Sequence, residues 1–169
     1  MLQNSPLISI IIPTYNCVKT LESCLISIID QNFEDLEVCI VDALSTDGTI
    51  EIVKKFAKQF NFISYTSEKD NGIYDAMNKG IKIANGNYIY FLGSDDEFHQ
   101  DSILEKISLE IENNDYEIIY GNVFNQDTKQ IVGGRVEPVD LCFHKICHQA
   151  IFYHHSLFVT YGIYDIKML

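Results

Sequence analysis

Across its first hundred residues the chain alternates short apolar runs with segments of helical periodicity, and this alternation restricts the fold more than any single motif. Leu7-Ile8-Ser9-Ile10-Ile11-Ile12, stopped by Pro13, predicts a buried parallel strand. Residues 18–31 then place Val18, Leu21, Leu25, Ile28 and Ile29 at helical spacing. Leu36 to Val41 predicts a second strand, Ile50 to Phe60 a second helix and Phe62 to Thr66 a third strand. Residues 73–84 predict a third helix, closed by Gly86 as a C-terminal cap, and Tyr88 to Leu92 a fourth strand. Connections this short leave only crossovers, so the expected fold is α/β: a mostly parallel sheet with helices on both faces.

Ligands of such sheets bind beyond the carboxyl ends of the strands. Each predicted strand ends there in a polar cluster: Thr14-Tyr15-Asn16, Asp42 to Asp47, Glu68 to Gly72, and Asp95-Asp96. Four strand ends with four clusters argue for one site. The last cluster, Gly93-Ser94-Asp95-Asp96-Glu97, carries three adjacent carboxylates, which repel one another unless a cation sits against them. A divalent metal holding a phosphate-bearing ligand satisfies that need; a solvated acidic turn is the alternative. There is no GxxxxGK[ST] and no GxGxxG after the first strand, so neither a P-loop nor a dinucleotide fingerprint is present. Charge neutralisation at a pyrophosphate would therefore come from Mn²⁺ or Mg²⁺ at Asp95 and Asp96. Asp42 could accept from a base N–H or a ribose hydroxyl, and Tyr15 offers either an aromatic face for a base or plain packing.

After residue 101 the pattern changes. Asp101 is expected to cap a helix carrying Ile103, Leu104, Ile107 and Ile111. Ile118 to Val123 predicts a strand, and Gln126 to Lys129 a hairpin turn into Ile131-Val132, ended by Gly133-Gly134. Residues 138–150 carry no clear pattern; Ala150 to Tyr153 predicts a strand and Ser156 to Tyr161 a short helix. A length of 169 residues with 47% hydrophobic content suits a single domain. Lys and Arg number 12 against 24 Asp and Glu, a net charge of −12, which argues against nonspecific binding to nucleic acid or anionic lipid through a basic face. The five cysteines form no CxxC pair, pointing to a reducing, cytoplasmic setting without disulfides or zinc. The start, Met1 to Pro6, lacks the features of a signal peptide, and no apolar run approaches the ~20 residues of a membrane span.

Five ordered words give the chain a resemblance to the inverting family 2 glycosyltransferases, which have the GT-A fold. They are Ile10 to Asn16, Val41-Asp42 through Ser45-Thr46-Asp47-Gly48-Thr49, Glu68 to Gly80, Ala84-Asn85-Gly86, and Leu92 to Asp96. The resemblance runs from about residue 7 to 165. The third word, with His148-Gln149, resembles the bacterial branch that builds capsule, O-antigen or colanic-acid-like polysaccharides. The resemblance implies a single GT-A domain over 1–169, with a nucleotide-binding half at 1–100 and the start of an acceptor-binding half at 101–169. It implies transfer, with inversion, from a nucleotide-diphosphate sugar, UDP-sugar favoured, to a glycan or lipid-linked glycan. A lipid-linked acceptor would bring the protein to the inner face of the cytoplasmic membrane. Pro13, Thr14, Tyr15, Asp42, Ser45, Asp70, Asn78 and Asp95 are implied as nucleotide-sugar contacts, with Asp96 on the metal. His148 and Gln149 are candidates for the acceptor side, or ordinary loop.

The family's catalytic base is usually an acidic residue well beyond the acidic turn, after a segment like Tyr161 to Asp165. No residue here matches it, so it is expected beyond Leu169 in a longer chain, or from elsewhere. Ala43-Leu44 also departs from the family's more usual Asp/Gly-Gly. Asp47 also reads as a helix cap, Asp75 and Lys79 equally as a surface ion pair, and His154-His155 as surface residues rather than ligands. Two other functions share part of this pattern: a nucleotide-sugar-binding fragment without turnover, and a sugar-phosphate nucleotidyltransferase. The latter needs a Gly-rich basic loop after the first strand, where this chain has Pro13-Thr14-Tyr15-Asn16.

Overall fold

A computed structural model describes residues 5–134 and 148–167. The elements are β1 (Ile8–Thr14), α1 (Leu21–Ile29), β2 (Leu36–Asp42), α2 (Thr49–Gln59), β3 (Ile63–Ser67), α3 (Ile73–Ile83) and β4 (Tyr88–Phe91). There follow α4 (Ile103–Asn113), β5 (Ile118–Tyr120), β6 (Val123–Asn125), β7 (Gln130–Val132), β8 (Ile151–His154) and α5 (Ser156–Tyr161). One six-stranded sheet runs in the order β3-β2-β1-β4-β8-β5. Its first four strands are parallel, and β8 lies antiparallel to both β4 and β5. The expected mostly parallel sheet is present, with β8 supplying the antiparallel exception.

β1 sits at the centre of the parallel row and is buried on both faces. Ile10 and Ile12 point into a core shared with Leu21, Leu25, Val53 and Leu104, while Ile11 packs on the other face with Met77, Ile81 and Phe91. Helices α1, α2 and α4 therefore cover one face and α3 the other, as a βα alternation requires. On the α3 face an aromatic cluster of Tyr74, Phe91, Tyr153, Phe158 and Tyr164 holds the segment after α5 against the sheet.

Four expectations change. Gly86 does not cap α3, which ends at Ala84 in extended geometry. A Cβ on Gly86 would lie 2.5 Å from Ser9 Oγ and 2.6 Å from Ser9 N, so the glycine is needed because this connection lies against β1. Asp101 does not cap α4: Gln31, at the end of α1, accepts the Ile103 and Leu104 amides on Oε1 at 3.0 and 3.2 Å. The apolar run 118–123 is two strands, because Gly121 donates to Ala150 O at 2.8 Å and the chain then leaves the main sheet for the β6–β7 hairpin. His154 and His155 are half-buried rather than surface residues; their Nδ1 atoms meet Ser156 Oγ at 2.7 Å and Gly86 O at 3.0 Å. Most of the unpatterned stretch, with Cys142 and Cys147, lies outside the described residues.

Candidate active site

Strand register builds the floor of the site. Thr14 lies opposite Asp42, and Asp42 opposite Ser67, so the last residues of β1, β2 and β3 form one polar row across the sheet. Asp42 is 0% exposed. Its Oδ1 accepts the hydroxyls of Ser45 at 2.5 Å and Thr14 at 3.4 Å; its Oδ2 accepts the Ser67 hydroxyl at 2.6 Å and the Ser45 amide at 3.2 Å. A buried carboxylate without partners is strongly unfavourable, and these donors offset that cost.

Above the floor, the β1–α1 and β2–α2 loops are clasped together. The Asn16 amide donates to Ser45 Oγ at 2.9 Å, and the Thr46 amide to Asn16 Oδ1 at 2.9 Å. Asp47 accepts the Val18 amide from one loop at 3.1 Å and the Thr49 hydroxyl at the start of α2 at 2.6 Å. Its Oδ1 also accepts the Thr49 amide at 3.0 Å, so Asp47 holds the first turn of α2 as well as tying the loops. The Thr49 hydroxyl, foremost among these donors, holds its carboxyl below the usual aspartate range. Asn16 adopts left-handed backbone at φ 49°, which turns the chain so that Tyr15 stands 66% exposed over the site.

The space so framed is a cleft of about 560 Å³ lined by Pro13, Thr14, Tyr15, Ala43, Lys69, Asp70, Gly72, Ile73, Ala76 and Ser94. Of the expected nucleotide contacts, Pro13, Thr14, Tyr15 and Asp70 face it directly. Asp42 and Ser45 lie in the network beneath it. Asp70 Oδ1 also accepts the Gly72 amide at 3.0 Å, setting the turn into α3. Asn78 is placed differently: it is 4% exposed, and its amide group bonds the Tyr164 backbone in both directions, at 2.8 and 2.9 Å. That pair pins the segment after α5 to α3 and does not bring Asn78 to the cleft. The expected Asp75–Lys79 pair forms at 3.8 Å, and Lys79 also reaches Glu68 at 3.1 Å.

The acidic turn stands at the cleft's edge through Ser94. Beyond it lies a second cavity of about 620 Å³, whose lining includes Asp95, Asp96, Phe98, His99, Phe124 and Gln149. Gly93 lets the two aspartates fold back over the turn: a Cβ there would lie 2.5 Å from Asp96 Oδ2 and 3.0 Å from Asp95 Oδ1. Among the described residues no three His, Cys, Asp or Glu side chains group so as to hold a metal by themselves. Gln149 lies in a short 3-10 turn, His148–Ala150, and its carbonyl accepts the Tyr90 hydroxyl at 2.5 Å. Sequence reasoning gave no site role to Ser67, Lys69, Gly93, Ile73 or Ala76, although all but Ser67 lie in clusters or words it named. Ser67 sits one residue past the expected end of β3, and aligning the three strand ends would have found it.

A PGL/p-HBAD biosynthesis glycosyltransferase of Mycobacterium bovis is 39% identical over 166 residues, covering 96% of this chain and 65% of the relative. The chain therefore spans about two thirds of that protein's length. In three dimensions S. aureus TarS matches with a TM-score of 0.78 and 23% identity over 95% of this chain and 31% of TarS; a structure of TarS 1-349 in complex with UDP matches at 0.76 and 22%, over 95% of this chain and 51% of that one. The mannosyltransferase PcManGT from Pyrobaculum calidifontis, in complex with GDP-Man and Mn²⁺, matches at 0.73 and 19%, over 98% and 49%. These likenesses show the GT-A fold. The family model "Glycosyl transferase family 2" matches residues 9–162, and with that match spanning nearly all of the sheet, both polar loops and the acidic turn, the chain belongs to glycosyl transferase family 2.

Proposed function

We propose that this chain carries the donor site of a metal-dependent, inverting glycosyltransferase that moves a sugar from a UDP-sugar to a glycan or lipid-linked glycan in bacterial surface-polysaccharide biosynthesis. The observation that carries the reading is the cleft over the Thr14–Asp42–Ser67 row, bordered by an acidic turn whose two aspartates fold over one glycine. The UDP bound to TarS and the GDP-Man and Mn²⁺ bound to PcManGT, on the same fold, support it.

On this reading the base stacks near Tyr15 above the Asp42 network, Pro13 and Thr14 shape the pocket wall, and Asp70 faces the nucleotide. Asp95 faces the ribose or sugar and Asp96 holds the metal. The fit to Mn²⁺ or Mg²⁺ rests on the Gly93 cradle, over which both carboxylates turn; two protein carboxylates plus diphosphate oxygens are a usual magnesium shell. When bound, the ion neutralises charge on the departing nucleoside diphosphate. The Ser45, Ser67 and Thr14 hydroxyls hold the Asp42 carboxylate in place at the floor. Residues 1–100 form the donor half, and the cavity beyond the turn, with Gln149 on its wall, opens the acceptor half. Asp165 accepts the Lys167 amide at 2.9 Å within its own turn and takes no base role here. Among the described residues no helix is long and apolar enough to cross a membrane; a lipid-linked acceptor would bring the protein to the membrane's inner face.

The test is thermal stability with ligand. UDP with Mn²⁺ raises Tm, since a ligand at a hundred times its Kd stabilises by about 2.7 kcal/mol. Asp96→Ala removes the metal-dependent part of the shift. Absence of a shift with every nucleoside diphosphate refutes the donor site.

A further inference from the structure

Among the described residues that line the donor cleft, Lys69 is the one cation. Its side chain is exposed, and among the described residues no carboxylate pairs with its ammonium. Its backbone, by contrast, is held. The Lys69 carbonyl accepts Lys79 Nζ at 2.6 Å, and the preceding Glu68 amide donates to Asp42 O at 2.9 Å, which seats the loop on the end of β2. Lys69 thus contributes an exposed ammonium to the cleft wall from an anchored backbone.

Its place in the sheet decides which part of the ligand it meets. The acidic turn follows β4, while Lys69 follows β3, at the other end of the parallel row. Three strand spacings separate these ends, about 14 Å. With the diphosphate at the acidic turn, Lys69 lies at the base end, beside Ala43 and Tyr15. An ammonium only donates hydrogen bonds. Uracil presents a carbonyl oxygen at ring position 4, whereas cytosine presents an amine there, itself a donor.

We propose that Lys69 selects the nucleobase, its ammonium donating to the uracil O4 and rejecting the cytosine amine. This rests on the donor-site reading above. The test is titration calorimetry with UDP and with CDP, both with Mn²⁺, on the wild-type chain and on Lys69→Met and Lys69→Arg. The wild type binds UDP about tenfold tighter than CDP, the scale of one charge-assisted hydrogen bond in an open cleft. Lys69→Met weakens UDP to the level of CDP and leaves CDP unchanged; Lys69→Arg keeps the preference. Equal weakening of both nucleotides would place the ammonium on the phosphates and overturn the proposal, as would an unchanged UDP-to-CDP ratio. If the wild type binds neither nucleotide, the donor site itself fails and this proposal with it.

Discussion

Gly93→Ala separates the function of the acidic turn from its stability. Gly93 does not have left-handed backbone, so alanine introduces no backbone strain. The new Cβ would lie 2.5 Å from Asp96 Oδ2 and 3.0 Å from Asp95 Oδ1, both far ends of rotatable side chains. These carboxylates can swing away cheaply, so the change in folding free energy stays within about 0.5 kcal/mol. Swinging away, however, moves the two groups proposed to face the metal and sugar. Displaced support around a metal ligand typically lowers affinity or activity by about 10- to 100-fold. The expected result is an unchanged Tm without ligand and a Kd for UDP in Mn²⁺ raised by about tenfold or more, with little change in Kd measured in EDTA. Gly86→Ala is the control at the opposite end of β4. There the Cβ meets backbone, Ser9 N at 2.6 Å, and β1 cannot yield. Overpacking of this kind costs about 1–3 kcal/mol, or roughly 2–12 °C in Tm for a chain of this size, with UDP affinity preserved in the fraction that folds. The reasoning is refuted if Gly93→Ala binds UDP and Mn²⁺ like the wild type, or if it loses as much Tm as Gly86→Ala.

Asn78→Ala leaves the Tyr164 N–H and carbonyl without their buried partner, a loss of about 1–3 kcal/mol readable as a lower urea midpoint; the UDP-induced Tm shift persists, whereas a direct nucleotide contact would lose it. Asp47 has its folded pKa held below the usual aspartate range, chiefly by the Thr49 hydroxyl. A depressed carboxyl contributes stability above its unfolded pKa and loses it as pH falls through the folded value. The Tm difference between the wild type and Asp47→Asn is therefore constant above about pH 4 and shrinks below it; a difference that grows on acidification contradicts the assignment.

Element types were legible because they follow from local spacing. The β1 run, the α3 stripe and the α5 segment Ser156–Tyr161 all formed where periodicity put them. The errors fell where a residue's reason lay far along the chain. Gly86 looks like a cap from its neighbours, but Ser9 decides it. Asp101 looks like a cap too, yet Gln31, some seventy positions away, performs that task. Asn78 belongs to a recognisable word, but its partner Tyr164 is 86 residues on.

By itself the sequence determined the α/β class, the four polar strand ends and the family, because hydrophobic period and ordered short words are properties of neighbouring residues. Only the tertiary structure decided how those ends align. Inter-strand register puts Thr14, Asp42 and Ser67 in one row, and the covering loops seal Asp42 beneath the cleft rather than leaving it in the open. It also set Lys69 and the acidic turn at opposite ends of the parallel row, since their separation follows from strand order and not from the 26 positions of chain from Lys69 to Asp95. Register and strand order are settled by burial summed over the whole sheet, and no local window of sequence contains that sum.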